Sequence, residues 1–422
     1  GTEQDNYVNL HSLLLIFGIM TIVVISVDGG LFQFLSFRLI QMTRGKPAYL
    51  LIVFSILSFL ITAIISDMLT VILLIPLTIS ICKVLDVKPT IFIILETLMI
   101  KLGATLLQIS SIPDMLISTS FGITFLDFFR NIGWYTVIIF ILTLIIFIGL
   151  YRSQLSQPRT GIGELLDFNV WSLIPNKILM LKSSFVLIAV IIGFIFIPGE
   201  LISPDITAVA GAVILLLISK MNISEIFKKI DFKLILYLIG IFIIVGCIEY
   251  VGVIDLLGNS LNNISSNNIY ITFVSVLWLS AVFSALIDNI TVTRVLIPTV
   301  GFLTAGLSSN GITSVLSGMI YGINWGDNLS PFGDTLILLS IAEQKQVKIS
   351  LLEMFKATFP ITIIQLGMIT LFFGLFTFPQ LFFWIFIGTI IPIIIIAYTP
   401  RKYPKKRISN RVKSFINLRI KH

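Results

Sequence analysis

Two aspartates, Asp67 and Asp288, interrupt long apolar stretches of this sequence. Burying an ionised carboxylate in apolar surroundings is costly, so such residues are candidates for binding cations or protons. Each aspartate lies among hydroxyl and amide side chains, whose oxygens are the ligands that hard cations prefer. These neighbours are Ser66, Thr70, Asn289 and Thr291. The pattern predicts a Na+ site with Asp67, Asp288 and Asn289 as the metal ligands.

Two further apolar segments, 91–118 and 312–342, contain clusters of polar, Gly and Pro residues near their centres. The first cluster consists of Thr105, Gln108, Ser110, Ser111 and Asp114, and the second of Asp327, Asn328, Ser330 and Asp334. With the two interrupting aspartates, these acids place carboxylates on four elements that we expect to face one another. Burial favours the protonated form of a carboxylate and a bound cation favours the ionised form, so such a site can exchange Na+ for protons.

Two basic residues, Lys101 and Arg294, lie close in sequence to these acids. Either could bind an anion or neutralise a carboxylate, and we prefer charge pairing because buried charges are usually paired. Glu96 is interpreted as the partner of Lys101 or as a packing residue. Glu249 is expected near the outer end of a helix, facing the interface.

The elements that must position these residues are membrane helices. The chain has 422 residues, of which 57% are hydrophobic and 12% charged, whereas soluble domains carry about a quarter charged residues. Apolar runs of about 20 residues match the hydrocarbon thickness of a bilayer. The formal charge of +7 comes from the end of the chain, because residues 400–422 contain nine Lys or Arg and no acid. The composition predicts an all-α polytopic membrane protein with a basic tail and no nucleic-acid surface.

The sequence lacks the motifs of several other functional classes. It contains no Walker-type phosphate loop, no His-Glu-x-x-His and no nucleophile elbow, which argues against an ATP-driven pump and a membrane hydrolase. Cys82 and Cys247 lie in apolar runs and support neither a disulfide framework nor a cysteine-based metal site. We therefore expect no enzyme activity, no catalytic residues and no cofactor besides a coupling ion, H+ or Na+. A soluble ATPase partner is not indicated.

Most apolar runs are predicted to be simple membrane helices, and four more form two pairs. The simple runs are 9–27, 132–151, 183–198, 205–220, 232–250, 359–377 and 381–397. The paired runs, 49–65 with 68–84 and 270–287 with 290–305, are typical of helical hairpins with polar tips. The two segments with central polar clusters are predicted to be broken helices, which a membrane tolerates only around a protein-lined or watery cavity.

The Lys and Arg residues of the short loops place the basic tail in the cytoplasm. In that orientation the first hairpin enters the membrane from the cytoplasm and the second from outside. Self-similarity of the sequence agrees, because 66–76 matches 288–298 at a constant offset. The two halves are therefore predicted to be inverted repeats with discontinuous helices, the arrangement of secondary transporters.

The predicted domain boundaries follow from this duplication. They are 1–151 for the first inverted repeat, 152–182 for a cytoplasmic linker, 183–377 for the second inverted repeat, 378–399 for an extra C-terminal helix and 400–422 for the basic cytoplasmic tail. The second repeat opens with two helices that have no counterpart before residue 9. We therefore expect about two N-terminal helices to be missing from the first repeat.

The residues of the hairpins and broken helices resemble the ion transporter superfamily. The likeness rests on 59–85, Glu96, 102–104, 280–298, 328–333 and 341–344, and it covers about 9–377. The nearest branch contains the arsenite permeases, the P protein and the D-type sodium/proton antiporters, with a citrate-transporter-like domain. The resemblance implies two inverted repeats, each with a re-entrant hairpin and a broken helix, that work by elevator-like alternating access, often as a homodimer.

Departures from the family pattern concern charged residues. The family's tip motif, Ser-Asn-Thr or Asp-Asn-Val-Thr, falls on 66–69 and 288–291, so that Asp67 stands where the family commonly has Asn. Its Asn-x-Gly-Gly falls on 101–104 and begins with Lys101, and its Gly-Gly-Asn becomes Gly326-Asp327-Asn328. These changes add charges where a citrate or arsenite carrier is expected to present neutral donors.

The sequence thus predicts a secondary-active ion transporter in a prokaryotic inner membrane, with a small inorganic ion as substrate and the bilayer as partner. Sodium/proton antiport is the favoured activity. An arsenite, anion or dicarboxylate carrier that uses Lys101 and Arg294 is the alternative in the same fold. A channel or a non-transporting membrane scaffold is the alternative from another class.

Overall fold

The structure is a computed structural model that describes residues 9–42, 47–85, 87–151, 171, 174–197, 201–252, 258, 268–330 and 334–377. Within these residues the regular structure is helical, without strands. The helices are α1 Leu10–Gly29, α2 Leu31–Met42, α3 Pro47–Thr62, α4 Asp67–Val84, α5 Thr90–Gly103, α6 Ile112–Phe121, α7 Phe125–Phe128, α8 Trp134–Tyr151, α9 Lys177–Phe196, α10 Pro204–Ser219, α11 Ile223–Lys229, α12 Phe232–Tyr250, α13 Ile269–Leu286, α14 Asn289–Thr304, α15 Ser309–Gly326, α16 Asp334–Gln344 and α17 Leu351–Thr377. A π-helical turn, Phe129–Gly133, joins α7 to α8, and a 3-10 turn, Asp327–Leu329, follows α15.

Among the described residues, five helices are long and apolar enough to cross a membrane. They are Leu10–Gly29, Phe125–Tyr151, Lys177–Phe196, Ile269–Leu286 and Leu351–Leu375. The pair α11 and α12 adds a sixth candidate span, bent by 53°. The all-α polytopic membrane fold predicted from composition is thereby confirmed. The predicted helix 381–397, the extra domain 378–399 and the tail 400–422 lie outside the described residues.

Helix boundaries differ from the predicted runs in several places, of which two are informative. The helix α2 was not predicted, because Gln33, Arg38 and Gln41 interrupt its apolar residues. The helix α9 begins at Lys177, inside the stretch predicted to be a cytoplasmic linker, and Asn176 caps it by accepting a hydrogen bond from the Leu179 amide. A capping asparagine is a local signal that hydropathy alone does not register.

The two predicted helix pairs are present, and each is divided at its predicted polar residue. Ser66 caps α4, where its side chain accepts from the Leu69 amide. Asp288 caps α14, where its carboxylate accepts from the Ile290 and Thr291 amides at 3.0 and 3.2 Å. Side chains that accept from free amide groups stabilise helix starts, which explains why the chain restarts a helix at both positions.

Three pairs of helix starts are separated by the same distance along the chain, 222 positions. This separation divides Leu10 from Phe232 at the starts of α1 and α12, Pro47 from Ile269 at those of α3 and α13, and Asp67 from Asn289 at those of α4 and α14. Gly30 and Gly252, which follow α1 and α12, share it and both have left-handed backbone conformations, with φ of 86° and 81°. The helices therefore repeat with the period that the sequence self-similarity indicates.

The broken helices pack through glycine residues against the first helix of each helix pair, α3 or α13. In α15, Gly318, Gly322 and Gly326 recur every four residues and form one stripe that faces α13. A methyl group added at Gly326 would lie 2.5 Å from the Cα of Ala281. In the first half, a methyl group at Gly103 of α5 would collide with the Phe59 carbonyl of α3. Small residues at this spacing let helix backbones approach closely in membranes. These contacts therefore hold the last residues of α5 and α15 close to α3 and α13.

Candidate functional site

A buried lysine joins the first helix pair to the second broken helix. The Nζ of Lys101 lies 2.8 Å from the Oδ2 of Asp67 and 2.8 Å from the Oδ2 of Asp327. The Lys101 side chain is 3% exposed, that of Asp327 is 11% exposed and that of Asp67 is 23% exposed. Elements that are far apart in sequence thus meet at one ammonium group.

Helix ends position this cluster, which we call the charged centre (Asp67, Lys101 and Asp327). Asp67 is the first residue of α4 and Lys101 lies in the last turn of α5. Helix dipoles favour an acid at a start and a base at an end. Asp327 begins the 3-10 turn that follows α15. Two carboxylates and one ammonium leave a formal charge of −1, so the charged centre favours a cation over an anion.

A second polar pair lies between the two broken helices. The Nδ2 of Asn324, near the end of α15, donates to the Oδ1 of Asp114 at 2.8 Å. Asp114 lies in the first turn of α6, where Ser111 caps the helix, and its side chain is fully buried. Its Oδ2 has no hydrogen-bond partner among the described residues. This oxygen is therefore available to bind a proton or a cation.

The non-helical stretch that separates α5 from α6 is held by hydroxyl groups. Thr105 accepts from the indole N–H of Trp325 at 3.1 Å and lies 3.1 Å from the Thr136 hydroxyl. Ser110 donates to the carbonyl of Ala63, which lies in the break between α3 and α4, at 2.9 Å. These bonds satisfy polar groups that would otherwise be costly within a membrane. Thr105 and Ser110 therefore stabilise the break between α5 and α6.

The second pair places its polar residues differently. Asp288 is exposed, and its Oδ2 accepts from the hydroxyl of Tyr237 at 3.1 Å. The hydroxyl of Thr291 also lies 3.1 Å from that of Tyr237. The Oδ1 of Asn289 accepts from Ser284 at 2.7 Å. Among the described residues, no group of three or more His, Cys, Asp or Glu side chains is arranged to hold a metal ion. A shared Na+ site of Asp67, Asp288 and Asn289 stays a prediction.

The structure also describes some contacts of the remaining predicted site residues. The guanidinium of Arg294 lies 4.1 Å from the ring centre of Phe242, within the range of a cation–π contact. Thr70 donates to the Ser66 carbonyl at 3.1 Å. The side chains of Asn328 and Ser330 are buried beside the charged centre's Asp327 in sequence, and Asp334 begins α16, where its side chain is not described.

The prediction that Glu96 pairs with Lys101 is wrong. Glu96 is buried and accepts a hydrogen bond of 2.6 Å from the hydroxyl of Thr78 on α4. Glu96 and Lys101 are five positions apart on α5, so their side chains leave the helix in directions that differ by about 140° at 3.6 residues per turn. Glu96 contacts the middle of α4 and Lys101 contacts its first residue. The contact of Glu96 agrees with the alternative prediction of a packing residue.

Sequence reasoning missed Asn324, Trp325 and Tyr321, three neighbours in the buried half of α15. The second predicted polar cluster begins at Asp327, although Asn324 is an amide inside the same apolar segment and carried the same signal. Tyr321 and Trp325 resembled ordinary core aromatics. Their roles follow from contacts with the other half of the chain, which the local sequence does not reveal.

Apolar helices of membrane-spanning length, two broken helices and the charged centre define a polytopic membrane protein with charged and polar groups inside its helix bundle. The pattern of the citrate transporter family matches residues 3–311 of the chain. The chain therefore belongs to the citrate transporter family, and the resemblance inferred from its hairpins and broken helices is confirmed.

Relatives that include a protein named as a transporter and one named as a membrane protein support the same class. An uncharacterized transporter of Mycobacterium tuberculosis is 25% identical over 376 residues, which cover 88% of this chain and 87% of that protein. The 46 kDa membrane protein of Mycobacterium leprae is 24% identical over 369 residues, covering 87% and 86%. The human P protein is 22% identical over 447 residues, covering 86% of this chain and 53% of the P protein. The protein is thus an integral membrane transporter.

Proposed function

We propose that this transporter is a secondary-active sodium/proton antiporter. The observation that supports this function best is the charged centre, where one buried ammonium is shared by two carboxylates. A monovalent cation carries the same charge as the ammonium and can take its place between Asp67 and Asp327. An anion would have to enter a centre that already has a negative formal charge.

The exchange balances in charge. In the resting state, two ionised carboxylates and the protonated Lys101 sum to −1. When Na+ binds between Asp67 and Asp327, Lys101 releases one proton and becomes neutral, and the total of −1 is unchanged. One Na+ is therefore exchanged for one proton. In both states a cation lies between the carboxylates of Asp67 and Asp327, and leaving them without a cation would be costly.

Two inverted repeats that move by an elevator-like mechanism are proposed as the framework. The constant separation of 222 positions between helix starts supports a duplication, and the helix pairs interrupted at Ser66 and Asp288 support re-entrant hairpins. Repeats 1–151 and 183–377 follow from that period. An inverted orientation of the repeats places a hairpin tip on each side of the centre, as in transporters with discontinuous helices.

The cellular location is proposed from charge alone. The nine basic residues of 400–422 and the basic short loops place the tail in the cytoplasm, and a prokaryotic inner membrane is the expected location. A homodimer and the absence of a nucleic-acid partner remain predictions.

The antiport proposal is tested with purified protein in liposomes that enclose a pH-sensitive dye. Adding Na+ outside is expected to release protons from wild-type vesicles. Asp67→Asn and Asp327→Asn are each expected to lower the rate at least tenfold. Asp28→Asn is the matched control, because Asp28 pairs with Lys229 at 2.6 Å near the surface and away from the charged centre. If the Asp67→Asn and Asp327→Asn double variant exchanges at the wild-type rate, the charged centre is not the cation site.

A citrate or other anion carrier is the second candidate, because the family is named for citrate transport. In this function Lys101 and Arg294 would receive the carboxylates or the arsenite anion. Citrate, dicarboxylate or arsenite uptake that survives neutral replacement of Asp67 and Asp327 but is abolished by Lys101→Met would establish it. A channel or scaffold is distinguished from both by counterflow, because a carrier saturates and a channel does not.

A further inference from the structure

A cavity of about 260 Å³ lies between the N-terminal half of α15, the π-helical turn before α8, and α17. Its lining includes a polar stripe of α15 at helical spacing, with four aromatic residues and an amide from the facing elements. The polar lining residues are Asn131, Tyr135, Asn310, Thr313, Ser314, Ser317 and Tyr321. Liquid water occupies about 30 Å³ per molecule, so the space admits several water molecules with hydrogen-bond partners.

Exposure of the lining decreases with depth. Asn131 and Asn310 are exposed, whereas Ser317 is 5% exposed and Tyr321 is 1% exposed. The cavity therefore opens at the molecular surface near the start of α15 and extends into the helix bundle as far as Tyr321. The predicted orientation places the start of α15 on the outer side of the membrane.

Tyr321 forms the inner end of the cavity and is fixed there. Its hydroxyl donates to the carbonyl of Ile132 in the π-helical turn at 2.8 Å, and its ring packs against that of Trp325 at 4.8 Å between centres. Thr136, one turn into α8, also donates to the Ile132 carbonyl, at 3.3 Å, and contacts Thr105. π-helical turns inside helices are frequent at functional sites.

The first polar groups of α15 beyond Tyr321 lead to Asp114. Asn324 lies one turn further along α15 and donates to the Oδ1 of Asp114. The Oδ2 of that fully buried carboxyl has no hydrogen-bond partner among the described residues. A buried acid with one open oxygen, near the inner end of a polar cavity, can accept a proton and release it again.

We propose that this cavity is the proton route of the transporter and that Asp114 is the relay between the cavity and the charged centre. The proposal rests on the proposed antiport function and adds the path of the coupling ion. Asp114 is protonated at rest, and when the Lys101 ammonium releases its proton, Asp114 passes its own proton to water in the cavity and takes up the one from Lys101. The carboxyl is therefore neutral before and after each transfer, and one proton has moved from Lys101 to the cavity. Tyr321 separates the cavity water from the charged centre, so Na+ does not follow the same path.

The first experiment tests the route without measuring transport. Cys82 and Cys247 are replaced by Ala, and Ser317→Cys is introduced and treated with a membrane-impermeant thiol reagent from either side of the membrane. We expect reaction from the outer side, because the cavity connects position 317 to solvent. Ser183→Cys is the matched control, since Ser183 of α9 is 0% exposed and does not line the cavity. Reaction of Ser317→Cys from neither side, or from the inner side alone, overturns the route.

The second experiment tests the relay with Asp114→Asn and a cavity-filling variant, Ser317→Leu. Both are expected to retain the thermal stabilisation by Na+ that the charged centre provides, and to slow proton release by at least tenfold. Asp67→Asn, by contrast, is expected to lose the stabilisation by Na+. Wild-type proton release in Asp114→Asn overturns the relay while the antiport proposal stands. If the wild-type protein shows no Na+-dependent proton release, the antiport proposal is overturned, and the relay with it.

Discussion

Replacing Lys101 by methionine tests the charged centre directly. Methionine keeps the length of the side chain and removes the ammonium that lies 2.8 Å from one oxygen of Asp67 and 2.8 Å from one oxygen of Asp327. These two oxygens are therefore no more than about 5.6 Å apart, by the triangle that the two contacts form. At an effective dielectric constant of 20, two ionised oxygens at that distance repel by about 3 kcal/mol. Breaking a buried ion pair typically costs about 3–5 kcal/mol in all.

The consequence is measurable as thermal stability in detergent. At about 2 °C per kcal/mol, the lower end of the usual range for large domains, Lys101→Met should lower Tm by roughly 6–10 °C. Lys229→Met is the matched control, because its surface pair with Asp28 is worth at most about 1 kcal/mol. Adding Asp327→Asn to Lys101→Met removes the repulsion, so the double variant should recover most of the loss.

Sodium should distinguish the competition mechanism from a purely structural role. If Na+ replaces the ammonium, the Lys101→Met variant has no ammonium that must leave the two carboxylates before Na+ binds. The Tm of this variant should therefore rise with Na+ more steeply than the Tm of the wild type. Na+/Na+ counterflow should persist in this variant, whereas exchange driven by a pH gradient should be lost. An equal Tm response to Na+ in the two proteins, or strictly additive losses in the double variant, would refute the reasoning.

Two further predictions concern packing. Gly322→Ala should reduce the folded yield and cost about 1–3 kcal/mol, because the added methyl group meets the Leu277 carbonyl of α13, whereas Gly240→Ala, which meets open space, should be neutral in the same thermal assay. Glu96→Gln should leave Tm nearly unchanged, since its remaining carbonyl oxygen can still accept from Thr78, but Glu96→Leu should cost about 1–3 kcal/mol by leaving the buried Thr78 hydroxyl without its acceptor.

The sequence predicted those parts of the fold that local patterns determine. Apolar runs located the spans, and the polar residues Ser66 and Asp288 located the interruptions, because a capping side chain acts on amides two or three residues away. The pairing of Lys101 was predicted in kind, since a buried ammonium needs a carboxylate. Its partners were beyond sequence reasoning, because Asp327 reaches it only through the packing of the glycine stripe of α15 against α13.

Two departures from the family pattern, Asp67 and Lys101, lie in contact with each other in the structure. The resemblance places Asn at the first hairpin tip and Asn at the start of the first broken region, where this chain has Asp67 and Lys101. These two side chains touch at 2.8 Å. The resemblance thus implies a neutral pair of amides at two positions where this chain has an acid and a base that compensate each other, which explains how two charges are tolerated side by side. Asp327 stands where the Gly-Gly-Asn motif has its second Gly. It adds a second negative charge to the charged centre, which has one positive charge. The negative charge that favours a cation therefore arises from Asp327.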